Sequence, residues 1–265
     1  MSESHAVSAI DDSIAQAARA LGSASRVLVV TGAGMSADSG MPTYRGVGGL
    51  YEEQSTADGI SIEEALSGPM FARDPALTWK YIAQIEAACR GARPNAGHHG
   101  LVALANHVDH LCVVTQNVDG LHRAAGTRQL IEMHGNIHRL FCIRCGQSRT
   151  VRDYSSLTQW PPRCARCNGI ERPAVVLFEE LLPSAALERY QRELANGFDV
   201  VLMIGTTAVF EYIAAPVRAA ASGQGMAIEI NPADTPITRL CDIKCSGPAA
   251  DVVPAIVHQL ETRGF

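Results

Sequence analysis

The chain reads as an α/β protein, a parallel sheet with helices on both faces, interrupted by a small inserted module pinned by metal. Three observations predict this. Short apolar runs recur, each ending in glycine or polar residues, and helical stretches separate several of them. A glycine-rich turn follows the first run. Four cysteines stand in two close pairs within a segment poor in aliphatic residues.

Residues 11–21 predict a helix, with Asp11 and Asp12 at its start and alanines through it. Val27–Val30 predicts a buried strand and leads into Gly32-Ala33-Gly34-Met35-Ser36-Ala37, which fits the G-x-G-x-x-G/A phosphate-binding turn. There the first glycine permits a tight turn and the second lets backbone N–H groups approach a pyrophosphate. A small third residue lets helix and strand pack closely. A hydride-transferring enzyme would continue through a helix into a strand ending in an acid about 20 residues on. Here the chain breaks at Ser39-Gly40-Met41-Pro42, passes Arg45 and Gly48-Gly49, and has no apolar strand leading into Glu52 or Glu53. Dinucleotide binding is retained and the hydride-transfer layout is not.

Ser61-Ile62-Glu63-Glu64 has the form of a capping box, and Asp74-Pro75 opens a helix to about Arg90 that carries Leu77, Ile82 and Ile85. A further helix is expected from Ala96 to Asn106, then a strand from Leu111 to Thr115. Leu111–Val114 ends at Thr115-Gln116-Asn117-Val118-Asp119-Gly120, Leu130–Met133 at His134-Gly135-Asn136, Val201–Ile204 at Gly205-Thr206-Thr207, and Ala227–Ile230 at Asn231. In a parallel sheet with helices on both faces, ligands bind beyond the carboxyl ends of the strands, so these clusters would line one crevice.

Cys142-x2-Cys145 and Cys164-x2-Cys167 have the spacing of a structural zinc site, two turns each presenting two thiolates to a tetrahedral ion. With four sulfurs closing the coordination shell, the metal would hold structure and not activate water. The segment is rich in Arg, Pro and Cys, as expected of a module whose core is too small to fold unaided. Ala174–Phe178 then returns as a strand. The expected organisation is a discontinuous large domain, 1–138 and 173–265, with a small zinc-binding domain at 139–172. Cys89 and Cys112 read as small core residues; Cys241 and Cys245 have no assignment.

At 265 residues the chain is long enough for a sizeable core, and 47% hydrophobic with 18% charged residues is ordinary for a globular protein. A formal net charge of −5 gives no basic footprint, so no nucleic-acid partner is expected. No run is long enough to suggest a membrane span. The N-terminal residues lack a secretory signal pattern, so a cytoplasmic location is expected.

Asn117, Asp119 and His134 are the candidates for chemistry. His134 follows an apolar run and precedes glycine, where its ring can reach a ligand, and its titration range suits a general base. The same position also suits a satisfied loop histidine. Asn117 and Asp119 read equally as ligand-orienting groups or as turn residues of Asn-x-Asp-Gly. Arg45 reads as a phosphate ligand or a solvated surface residue. His98, His99, His107 and His110 read as surface or helix-end residues.

Taken together, GAGMSADSGMPTYRG, TQNVDGLH, MHGN, the two CxxC pairs, RPAVVLFEELLP, GTT and the late Asn231 resemble the sirtuins, NAD-dependent protein-lysine deacylases. The resemblance runs from about residue 22 to 258, with the motifs in the family's order. It implies a Rossmann-like domain and a small zinc-ribbon domain, with NAD and acyl-lysine meeting between them. By family role, Gly32, Ala33, Gly34, Ser36 and Arg45 belong to the cofactor loop. Gln116, Asn117 and Asp119 border the nicotinamide and its ribose. Gly205, Thr206 and Thr207 hold phosphate or ribose, and Asn231 and Ala249 lie at the adenosine end. NAD is then consumed: the acyl oxygen attacks the ribose carbon as nicotinamide leaves. His134 activates a ribose hydroxyl to attack the resulting imidate, giving free lysine and O-acyl-ADP-ribose.

The substrate half departs from the family. Phe178-Glu179-Glu180 stands where many members have Phe-Gly-Glu, and Phe210 and Tyr212 replace a small β-branched residue and a proline near the expected peptide channel. Phe178, Glu179 and Phe210 are therefore the candidate substrate contacts. Members preferring succinyl or malonyl lysine carry a Tyr/Arg pair where this chain has Ile82 and Ile85, so a neutral acyl group is expected; the alternative is that both isoleucines pack in the core and acyl choice is set elsewhere, for instance by Phe210. The implied activity is deacylation, deacetylation first, on an acylated-lysine protein or peptide. Two alternatives are a mono-ADP-ribosyltransferase, suggested by the altered substrate half, and a non-catalytic NAD-binding module.

Overall fold

The computed structural model describes residues 3–41 and 56–263. The elements run α1 (Glu3–Gly22), β1 (Arg26–Thr31), α2 (Ile62–Ala65), α3 (Gly68–Arg73), α4 (Pro75–Cys89), α5 (Ala96–Leu104), β2 (His110–Thr115) and α6 (Leu121–Ala125). There follow β3 (Leu130–Glu132), β4 (Gly135–Cys142), β5 (Ser148–Thr150), β6 (Glu171–Val175), α7 (Ser184–Ala195), β7 (Val200–Ile204), α8 (Glu211–Ala221), β8 (Met226–Ile230), β9 (Ile243–Cys245) and α9 (Ala249–Arg263).

Six strands form one sheet in the order β3-β2-β1-β7-β8-β9, every pair parallel. Strand periodicity explains why the apolar runs are unbroken. Val27, Val29, Val113, Leu202 and Ile228 face one core with α1, α5 and α9. Leu28, Val30, Cys112, Val114, Val201 and Met203 face a second core with α7 and α8. Both faces are covered, so both sets of alternating side chains are apolar. Helix starts follow the local signals. Ser61 caps α2, and Asp74 caps α4 with Pro75 behind it.

A three-stranded antiparallel sheet, β5-β4-β6, carries the cysteine module. Ala174–Phe178 was expected as a strand; the observed strand is Glu171–Val175, and it pairs with β4 of this small sheet instead of joining the large one. The small sheet therefore runs from Gly135 to Val175, past both ends of 139–172. A third apolar cluster packs Trp79, Tyr81, Ile82 and Ile85 of α4 against Ile137, Leu140, Val151 and Tyr154. The Trp79 indole N–H donates to the Glu171 carbonyl at 2.9 Å, which ties α4 to β6. Ile82 and Ile85, 3% and 5% exposed, are members of this core.

Candidate active site

The carboxyl ends of β1, β2, β7 and β8 bring the polar clusters together. Gly34 N–H donates to the Gly205 carbonyl at 2.9 Å, so the loops after β1 and β7 touch backbone to backbone. Gly205 has φ +57°, and a Cβ there would lie 2.4 Å from the Met35 nitrogen. Only glycine fits, because both the conformation and the space exclude a side chain. After Gly32 the chain makes two 3-10 turns, Ala33–Met35 and Ala37–Ser39, and not the long helix of a hydride-transfer fold. Ala37 is exposed and opens a short 3-10 turn, which corrects the close helix-strand packing expected of a small third residue in the motif.

Behind this turn lies a chain of side-chain hydrogen bonds. Asn117 Nδ2 donates to the Gly32 carbonyl (3.0 Å) and to Ser36 Oγ (3.1 Å), and Ser36 Oγ donates to Asp119 Oδ2 (2.7 Å). Asp119 Oδ1 also accepts from Leu121 N–H at 2.8 Å. Burial raises the Asp119 pKa, while the Leu121 and Ser36 bonds oppose the shift. Gln116 Nε2 donates to Thr206 Oγ1 at 2.8 Å, linking the loops after β2 and β7. Asn231 Nδ2 lies 3.4 Å from the Thr206 carbonyl, Thr207 is exposed, and Ala249 is buried at the first turn of α9. Arg45 lies outside the described residues.

His134 sits at the end of β3. Its Nδ1 bonds the Gln116 carbonyl at 2.9 Å, and a carbonyl only accepts, so Nδ1 carries the proton. Nε2 is then a free lone pair, and it faces the Tyr212 hydroxyl at 2.5 Å. Burial lowers the His134 pKa, with the Gln116 bond opposing, so the imidazole is held neutral as a base requires. Phe210 and Tyr212 stack with centroids 5.8 Å apart, and Phe210 presents its edge to His134.

On the substrate side, Phe178 N–H donates to the Leu66 carbonyl and its carbonyl accepts from Gly68 N–H, so one edge of this segment is already paired. Phe178 is 38% and Phe210 49% exposed. Glu179 is exposed with φ +66°, a left-handed conformation that accounts for glycine at this place in related motifs. Its neighbour Glu180 turns inward, with both carboxylate oxygens on Arg172 (2.6 and 2.9 Å).

The four cysteine sulfurs, Cys142, Cys145, Cys164 and Cys167, lie within 4.8 Å of one another. A tetrahedral zinc–thiolate site, with Zn–S near 2.3 Å, needs sulfurs about 3.8 Å apart, so the set fits. Each CxxC turn closes on a left-handed residue. Gly146 N–H reaches the Cys142 carbonyl, and Asn168 N–H reaches that of Cys164.

Several participants were missed or misplaced by sequence reasoning. Asn95 caps α5 and also donates to the Met35 carbonyl and Ser39 Oγ, bracing the glycine turn; its place just after Pro94 at a helix start was the available signal. His98, expected at a surface or helix end, is at the helix end but fully buried. It packs on His122 with ring centroids 4.8 Å apart. His122 Nε2 bonds Thr31 Oγ1, which donates to Thr115 Oγ1, so this pair supports β1 and β2 directly beneath the site.

The Sir2 family model matches residues 32–211. The chain is 50% identical to NAD-dependent protein deacylase 2 of Pseudomonas aeruginosa over 93% of its length and 97% of the relative's. It is 49% identical to the protein of the same name from Pseudomonas syringae pv. tomato, over 92% of this chain and 99% of that one. Among solved structures, it resembles a Sir2 homologue in complex with NAD (TM-score 0.83, 33% identity, 94% of each chain covered). It also resembles a Sir2 protein bound to a myristoylated histone peptide (TM-score 0.74, 28% identity, 96% and 98% covered). The glycine turn, the Asn117–Ser36–Asp119 chain and His134 thus lie within the stretch matched by one family model, and the chain belongs to the Sir2 family.

Proposed function

We propose that this protein is an NAD-dependent protein-lysine deacylase that releases nicotinamide, free lysine and O-acyl-ADP-ribose, with His134 as the base. The observation that carries the reading is the His134 geometry. The Gln116 carbonyl holds Nδ1–H, and Nε2 is left as the one basic position, at the crevice where the glycine turn and Asn117, Ser36 and Asp119 converge.

NAD, when bound, supplies a ribose whose bond to nicotinamide breaks as the acyl oxygen attacks. This chain's residues do the rest. Gly32, Ala33, Gly34, Gly205, Thr206 and Thr207 supply the close backbone and hydroxyl groups for phosphate and ribose, with Arg45 added from the cofactor loop. Asn231 and Ala249 lie toward the adenosine end. Gln116, Asn117 and Asp119 orient the nicotinamide ribose, and the Ser36 bond keeps Asp119 aimed while burial disfavours its charge. His134 takes the proton from a ribose hydroxyl at Nε2. Phe178, Glu179 and Phe210 border the acyl-lysine substrate, and acyl choice falls to exposed Phe210, since Ile82 and Ile85 are buried in the core beneath the small sheet.

Zinc held by Cys142, Cys145, Cys164 and Cys167 belongs to the same proposal, as a structural ion in a zinc-ribbon module carried on the Gly135–Val175 sheet and inserted into the large domain. The sulfur spacing supports the metal, and the third apolar cluster gives the module its contact with α4.

The test is incubation with NAD and an acetylated-peptide library, following nicotinamide and O-acyl-ADP-ribose together. Both should appear in equal amounts, and His134→Ala should lose turnover by about 10²–10⁴-fold. ADP-ribose attached to protein, with no O-acyl product, would overturn the reading in favour of transfer. No nicotinamide release from any peptide would overturn it in favour of a binding module.

A further inference from the structure

The partner of the base is a residue of this chain for which the deacylase reading has no use. Tyr212 lies 78 residues beyond His134, in the first turn of α8, yet its hydroxyl is 2.5 Å from Nε2. In the Nδ1–H tautomer that nitrogen has one lone pair, in the plane of the ring, so it accepts one hydrogen bond at a time. Burial pushes the Tyr212 pKa up to about 12, so the phenol keeps its proton and donates. A ribose hydroxyl presenting its proton to Nε2 needs the same lone pair.

We propose that Tyr212 is a positioning residue that holds the place of the ribose hydroxyl on His134: with the Gln116 carbonyl setting the tautomer, its O–H occupies Nε2 and fixes the ring orientation of the base in the free enzyme, and is exchanged for the sugar's O–H when the nucleotide binds.

Three further observations support a held but exchangeable contact. The ring of Tyr212 stacks on Phe210, itself 49% exposed, so the aromatic pair borders solvent on one side. The α8 backbone is anchored independently of the phenol, because Tyr190 Oη donates to the Tyr212 carbonyl at 2.6 Å. The loop leading to α8 contains Ala208 at φ +49°, a conformation that side-chain-bearing residues adopt at a cost. The hydroxyl can therefore leave Nε2 by movement of the ring while the helix stays in place. The exchange replaces one O–H···N bond by another, so the base remains neutral and correctly protonated throughout.

The inference rests on His134 being the base, and the test separates the two. Imidazole nitrogen NMR of the free enzyme reads the tautomer and the hydrogen bond at Nε2 without any reaction. In wild type the His134 Nε2 resonance should show an accepted hydrogen bond. In Tyr212→Phe, which retains the ring and its stacking, that signature should vanish. ADP-ribose should restore it in the variant and should bind the variant about 2- to 10-fold tighter than wild type, since one net hydrogen bond no longer has to be broken. Thermal denaturation of both proteins checks that the variant is folded. An Nε2 resonance unchanged by Tyr212→Phe would overturn the proposal, as would weaker ADP-ribose binding by a folded variant. Failure of wild type to bind ADP-ribose would instead sink the deacylase reading, with the free-enzyme resonance still deciding whether Tyr212 sits on the base.

Discussion

Gly205→Ala is the substitution whose effect follows most directly from the structure. Gly205 has φ +57°, and an added Cβ would sit 2.4 Å from the Met35 nitrogen, 2.5 Å from the Gly34 carbonyl carbon and 2.7 Å from Gly34 Cα. All three are backbone atoms, so no side chain can rotate away to make room. The left-handed conformation costs an alanine about 1–2 kcal/mol, and forcing apart a packed contact adds about 1–3 kcal/mol. For a chain of this size about 2–4 °C of Tm accompanies each kcal/mol, so Tm should fall by roughly 4–20 °C. The movement that relieves the clash also breaks the Gly34–Gly205 hydrogen bond and opens the nucleotide crevice. Calorimetric titration with ADP-ribose should accordingly show affinity lower by more than about tenfold. An alanine variant with the Tm and ADP-ribose affinity of wild type would refute the close-approach argument.

Three other consequences can be checked separately. Cys142→Ser should release zinc and unfold the inserted module, because metal binding there supplies folding free energy; a wild-type protein without zinc on metal analysis would end that reading. Glu179→Gly should stabilise the protein by about 0.5–1 kcal/mol, the relief of a left-handed residue less the extra entropy of an unfolded glycine, and a lower denaturant midpoint would contradict it. Burial lowers the pKa of His98 to about 4 and of His122 to about 3, so below pH 6.5 the unfolded chain takes up protons that the folded chain refuses. Stability present at neutral pH is then lost as pH falls toward those values, by about 2 kcal/mol per histidine between pH 6.5 and 5. Equal denaturation midpoints at pH 7.5 and 5 would refute it.

Much of the large domain was legible because its signals are local. Five apolar runs of the sequence became five parallel strands, since a strand covered on both faces has no polar face to interrupt the run. The cysteine spacing marked a metal-sized cluster because each CxxC turn is closed within its own few residues. The polar residues at strand ends were brought to one side of the sheet by parallel pairing, where Asn117 and Asp119 bond the glycine turn and His134 bonds the Gln116 carbonyl. The chain's membership of its family was likewise readable from the order of its motifs.

Tertiary structure decided the contacts between distant residues. The strand near Val175 belongs to the small sheet because β4 offers it an antiparallel edge, a choice that its own five residues do not encode. Ile82 and Ile85 are core residues because the β4–β6 sheet lies over α4, and the Trp79 bond to Glu171 spans 92 residues to hold it there. His98 and His122 became a buried pair only when α5 and α6 were packed against the sheet. Tyr212 met the base in the same way. Periodicity and spacing report which face of an element is apolar and which short turns are closed; they carry no information on which distant side chain fills the one lone pair that a neutral imidazole leaves open.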